Sequence, residues 1–149
     1  MNRPFGLILA ISLLIGCADD PELVDDRLYT SLTYLLTHRE NFAPGQKLAV
    51  HGHLYGQGNS YLFLSRESAI ADDVLSGIVV LNPVSDRGRF PGPCDGKFVE
   101  VFGTLHVRGE EYSIADVTRV EIPPRKYPRV DPEDWEARAC FDAEAAPAA

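Results

Sequence analysis

Two segments of this chain repeat one pattern, Val50-His51-Gly52-His53-Leu54 and Val101-Phe102-Gly103-Thr104-Leu105, each with a Gly and a Lys a few residues upstream. Around the first, Leu48, Val50, Gly52 and Leu54 alternate with Ala49, His51, His53 and Tyr55. Around the second, Val99, Val101, Gly103, Leu105 and Val107 share one face of a run over residues 98–107. A period of two belongs to a half-buried strand. A glycine in mid-strand weakens a sheet on its own account, so it marks a bulge or a tight bend. Two such strands in a set of about five predict a small closed barrel, mainly β, whose first strand bends to serve both of its sheets.

The rest of the chain supplies the partners. Gly56-Gln57-Gly58-Asn59 is a hairpin turn leading to a return strand over 61–65, and Gly77-Ile78-Val79-Val80-Leu81 is a short apolar strand. Arg108-Gly109-Glu110-Glu111 turns the 98–107 strand into a last strand or strand pair over 112–122, which Pro123-Pro124 ends. Ser65-Arg66-Glu67-Ser68 has the spacing of a helix cap, followed by an irregular or short helical link over 69–75. Leu28, Leu32, Leu35 and Leu36 fit a helical stripe, so an N-terminal helical segment is expected within 28–39. Asp131-Pro132-Glu133-Asp134 predicts a C-terminal helix running to about Phe141.

Over residues 46–122 this arrangement resembles an OB-fold, a five-stranded barrel. The run Gly-x-Lys-Leu-x-Val-x-Gly-x-Leu followed by Tyr-Leu-Phe-Leu-Ser is similar to that of small bacterial envelope proteins. OB domains that bind nucleic acid carry lysine and arginine along the strand faces, and this chain does not.

The N-terminus has the layout of an export signal. Arg3 is the positive charge, and residues 5–15 form an apolar run of roughly 11 residues, short of the roughly 20 that span a bilayer. No A-x-A site follows. Instead Leu14-Ile15-Gly16-Cys17 resembles the lipobox of bacterial lipoproteins. The resemblance implies cleavage after Gly16, a diacylglyceryl thioether on Cys17 and acylation of the new amine. Several acyl chains, at about 0.8 kcal/mol per buried methylene, make a stable anchor. The expected division is a signal peptide over 1–16, an acidic tether over 17–26, one domain over 27–142 and a tail over 143–149. The location implied is the bacterial cell envelope, facing the periplasm. Ala18, where an Asp would retain enteric lipoproteins on the inner membrane, favours the outer one.

Charge narrows the partners. The formal net charge is −8, and losing Arg3 from the 14 basic residues leaves −9 against 22 acids. That balance opposes broad phosphate binding, so nucleic acid is not an expected partner. It also opposes an electrostatic grip on anionic lipid. Of the 3 cysteines, Cys94 and Cys140 remain after Cys17, and an oxidising compartment favours their pairing.

The candidate ligand face is His51, His53, Tyr55 and Tyr61, with Phe63 and Phe102 as further rings of a stacking platform. The same residues also suit ordinary packing across a half-buried sheet. His51 and His53 at i and i+2 can reach one metal, with His106 as a third ligand from a neighbouring strand. Arg87, Arg89, Arg125, Lys126 and Arg129 make two small basic spots in loops. No G-x-S-x-G frames Ser65 or Ser68, and no phosphate-binding loop or H-E-x-x-H is present. Asp19-Asp20 and Asp72-Asp73 fall in expected loops. The leading expectation is therefore a non-catalytic binding or interaction module without a cofactor, contacting a protein or a small ligand. A metal-binding protein and an envelope hydrolase are the alternatives.

Overall fold

The computed structural model describes residues 21–57, 59–81, 92–124 and 138–143. They form eight strands: β1 (Glu22–Val24), β2 (Arg27–Ser31), β3 (Lys47–Gln57), β4 (Asn59–Phe63), β5 (Gly77–Val80), β6 (Lys97–Arg108), β7 (Glu111–Ile122) and β8 (Arg138–Asp142). Two short helices accompany them, α1 (Leu32–Thr37) and α2 (Arg66–Ile70).

Five strands close on themselves. Pairing runs β3-β4-β5-β7-β6 and returns through a β3–β6 ladder, with β5 and β7 parallel and the other four junctions antiparallel. The alternation read from the sequence decides which side faces in. Leu48, Val50, Leu54, Val99, Val101 and Leu105 are fully buried inside the ring, with Leu62, Ile114 and Val120 from the strands beside them. Leu32 and Leu35 of α1 join the same core.

Both mid-strand glycines sit where the chain is crowded. A Cβ on Gly52 would lie 2.8 Å from the Phe63 carbonyl oxygen and 2.9 Å from Leu62 Cγ. On Gly103 it would meet Ile114 Cγ2 at 2.6 Å and the Ala115 carbonyl oxygen at 2.8 Å. Gly103 also lies at a register shift between Phe102 and Thr104, where the facing stretch of β7 between Ala115 and Arg119 includes Asp116 at a φ of 47°. The bend in β3 at Gly52 lets that strand pair with β2 through residues 48–51 and with β4 from His53 onwards.

The N-terminal helical segment expected within residues 28–39 is present as α1. The N-terminal helix begins only at Leu32, because Leu28 to Ser31 are extended and pair in parallel with β3. The free edge of β3 supplies ladder partners there, and tertiary pairing overrides a weak local preference. Ser31 then caps α1, its Oγ accepting from the Tyr34 N–H at 3.1 Å. Upstream, β1 folds back on β2 through Asp25 and Asp26, both at positive φ (48° and 65°), the requirement of a type I′ turn. Strand pairing thus begins at Glu22, inside the acidic stretch.

The expected C-terminal helix is not what the described residues show. Residues 131–137 lie outside them, and Arg138–Asp142 is a strand on β7. β5 pairs with β7 only at Ser113 and Ile114, which leaves that edge of β7 open further along. Open edge groups need partners, and β8 supplies them at residues 119–122. Cys140 on β8 is disulfide-bonded to Cys94 in a single 3-10 turn (Gly92–Cys94), with 5.5 Å between their Cα atoms.

Candidate functional site

Strand register determines what the outer surface of the ring presents. Four rows cross it. Phe63 on β4, His53 on β3 and Phe98 on β6 stand opposite one another, as do Tyr61 and Tyr55 one step towards the β3–β4 hairpin. One step the other way, His51, Glu100 and Glu121 line up across β3, β6 and β7. Next come Ala49, Phe102 and Arg119, with Tyr29 of β2 opposite Ala49 and Asp142 of β8 opposite Arg119.

The rings touch along these rows. Phe98 lies 5.3 Å from His53, edge to face, and 5.8 Å from His51, while Phe63 stacks on Tyr61 at 5.7 Å and meets Tyr55 at 6.3 Å. Phe98 is 43 % exposed. His51 is exposed, and His53, Tyr55 and Tyr61 are half-buried. Phe63 is buried over Gly77, whose missing side chain leaves room for the ring at 3.0–3.2 Å. On the far side, Tyr29 meets Phe102 edge to face at 6.2 Å, and the Arg27 guanidinium lies 5.5 Å over the same Phe102 ring.

The site is therefore an aromatic and imidazole stripe beside a pair of carboxylates. Like charges directly opposite on a sheet repel. Arg119 forms an ion pair with the buried Glu121. Glu100 is half-buried next to it, and burial first, then the Glu121 charge, raise its carboxyl above the ordinary range. Burial and Glu100 likewise push the Tyr29 hydroxyl up. His53 Nδ1 is buried with no hydrogen-bond partner. Chemically, the surface offers flat rings for stacking, imidazole nitrogens and a carboxyl that holds its proton more readily than usual.

Of the residues picked from the sequence, His51, His53, Tyr55, Tyr61 and Phe63 do come together. Phe102 stands apart from them, with Tyr29 and Arg27. His106 is not brought to His51 and His53. It lies six positions beyond Glu100 on β6, about 20 Å at ~3.4 Å per residue, and its Nε2 is 3.3 Å from Asp116. Among the described residues no group of three or more His, Cys, Asp or Glu is placed to hold a metal ion. Ser65 Oγ accepts from the Ser68 N–H at 3.1 Å as the cap of α2, and Ser65 and Ser68 hydroxyls bond to each other. Asp73 bonds Ser76. The basic spots at Arg87, Arg89, Arg125, Lys126 and Arg129, the pair Asp19-Asp20 and the lipobox Cys17 lie outside the described residues.

Phe98, Glu100, Glu121 and Arg119 were not singled out from the sequence. A signal for two of them existed: Phe98 and Glu100 alternate with Val99 and Val101, so they had to face outward. Only the β3–β6 ladder puts them next to the histidines.

No family model matches the chain, and no curated protein matches it either. No helix of the described residues is long and apolar enough to cross a membrane.

Proposed function

We propose that this chain is a lipid-anchored binding module of the bacterial cell envelope, facing the periplasm and built on an OB-like five-stranded barrel. The ring order β3-β4-β5-β7-β6 with its one parallel junction supports the barrel reading. OB domains bind ligands on the outer face of their second and third strands and on the adjoining loops. Here those strands are β4 and β5, and Tyr61 and Phe63 stand on that face. The Leu14-Ile15-Gly16-Cys17 motif supports the anchor, with the outer membrane favoured by Ala18.

One observation carries the binding role: the stripe from Tyr61 through Phe63, His53 and Phe98 to His51, which leaves Phe98 43 % exposed. Aromatic side chains are used at interfaces because they offer large, rigid contact area at little entropic cost. The occupant is a protein segment or small molecule with a flat, weakly polar face. The net charge of −8 opposes nucleic acid.

The test is a heteronuclear NMR titration of the full mature chain with soluble muropeptides, which carry both sugar rings and a short peptide. Amide shifts concentrated at His51, His53, Tyr55, Tyr61 and Phe98 are expected. Shifts confined to other surfaces, or none at millimolar ligand, would overturn the assignment of this face.

A further inference from the structure

Between β4 and β5 the chain makes an excursion that places large apolar side chains in water. Leu75 is 85 % exposed, Ile70 72 %, Val74 51 % and Leu64 39 %. Scattered exposed leucines are ordinary on protein surfaces. Four within one short excursion, tied together by backbone hydrogen bonds, are not scattered along the chain, and clustered exposed apolar residues mark contact sites.

The excursion is rigidly built. Ser65 caps α2 at its start, and the Asp73 N–H donates back to the Ser68 carbonyl at 3.0 Å. The Val74 N–H donates to the Asp72 carbonyl and the Ser76 N–H to that of Asp73, at 3.0 and 2.9 Å. Finally the Leu64 N–H donates to the Ser76 carbonyl at 2.9 Å, which ties the two ends of the excursion together. Asp72 takes a positive φ of 51°, a left-handed turn conformation that Asp and Asn adopt more readily than other side chains. Such a surface loses little conformational freedom when covered, so little affinity is spent on ordering it.

Charge around the patch selects the occupant. Within the same excursion stand Glu67 and Asp72, both exposed, and the half-buried Asp73, against Arg66 as its one basic residue. A second copy of the chain would set these acids against themselves. An anionic lipid surface would meet the same repulsion. We propose that residues 64–76 form a docking surface for an amphipathic protein segment whose apolar face covers Ile70, Val74 and Leu75 and whose lysines or arginines meet Glu67, Asp72 and Asp73. This surface stands on observations separate from the aromatic stripe.

The experiment measures binding of the full mature chain to three probes by fluorescence anisotropy and flotation: an amphipathic Leu/Lys helical peptide, its Leu/Glu counterpart, and phosphatidylglycerol vesicles carrying no protein. Each is repeated with Leu75→Ser, with Ile70→Ser and with the pair Glu67→Gln and Asp72→Asn. Asn tolerates the left-handed conformation, and the two apolar side chains are largely in solvent, so all variants are expected to keep the wild-type melting temperature. The Leu/Lys peptide is expected to bind, with affinity falling about tenfold in each serine variant and weakening in rising salt less steeply in the Glu67→Gln and Asp72→Asn pair than in the wild type or the serine variants. Binding of the Leu/Lys peptide that ignores Leu75→Ser and Ile70→Ser would overturn the proposal. So would equal binding of the Leu/Glu peptide, no peptide binding, or flotation with vesicles that is lost in Leu75→Ser.

Discussion

Glu100 on β6 stands directly opposite Glu121 on β7, with His51 of β3 on the other side of Glu100 in the same row. A carboxylate pair in this position opposes folding whenever both groups are ionised. Arg119 neutralises one member. The other, Glu100, has its carboxyl pushed above the ordinary range by burial first and then by the Glu121 charge.

That relationship makes stability depend on pH with a defined sign. The carboxyl of Glu100 is raised in the folded chain above its ordinary value of 4.5. Folding therefore favours the protonated acid: the contribution is complete below the unfolded value and is lost as pH rises through the folded one. Thermal melts taken upward from pH 4.5 should show a decline in melting temperature attributable to this group. Glu100→Gln should flatten it and raise stability at neutral pH. A variant that melts lower than wild type at pH 7 would show that the charged form makes a stabilising contact instead.

The Cys94–Cys140 bridge closes a sequence separation of 46. In the chain-entropy model a loop of that size contributes about 4 kcal/mol. Changing both cysteines to serine should therefore cost roughly 2–4 kcal/mol in chemical denaturation and free β8 from the open edge of β7. Amide exchange of residues 138–142 reads the second effect directly. Unchanged protection there would mean that pairing alone holds the strand.

Gly52 and Gly103 test the ring itself. A methyl group at either position meets a backbone carbonyl oxygen at 2.8 Å, which cannot swing aside as a side-chain tip can. Gly52→Ala and Gly103→Ala should each cost about 1–3 kcal/mol, the range for overpacking. Alanine at Gly45, with open space around its missing Cβ but a φ of 82°, provides a comparison for conformational strain alone.

Much of this architecture was legible in the pattern of residues. The alternation about Gly52 and Gly103 located β3 and β6 and their buried faces, because a period of two tells inside from outside without knowledge of the partners. The three other ring strands were legible for similar local reasons, and the Cys94–Cys140 pair from the two cysteines that remain after Cys17. What the local pattern did not decide depended on distant edges. Residues 28–31 became a strand because β3 offered an unpaired side, and residues 138–142 did so because β5 covers only part of β7. The outer face was half legible: His51, His53, Tyr55 and Tyr61 share β3 and its hairpin partner, but Phe98, Glu100 and Glu121 enter through ladders between residues far apart in sequence. The same register keeps His106 away from the other two histidines.

Phe98 is the point at which binding and stability should separate. Its ring is exposed enough that Phe98→Ala should leave the buried core intact and cost little stability, while removing the contact shared by His51 and His53. Retained melting temperature with lost muropeptide-induced shifts at His51 and His53 is the expected pattern. Undiminished shifts in that variant would place the ligand elsewhere.

Membrane anchorage through Cys17 is the premise that gives the exposed faces their setting, and metabolic labelling tests it most directly. Cells expressing the wild-type chain or Cys17→Ser are fed radiolabelled palmitate, and the protein is recovered and sized. The account predicts label on the wild type alone, with the serine variant accumulating as an unlabelled, uncleaved precursor that retains residues 1–16. Equal labelling of both, or an unlabelled wild type cleaved at another site, would contradict it.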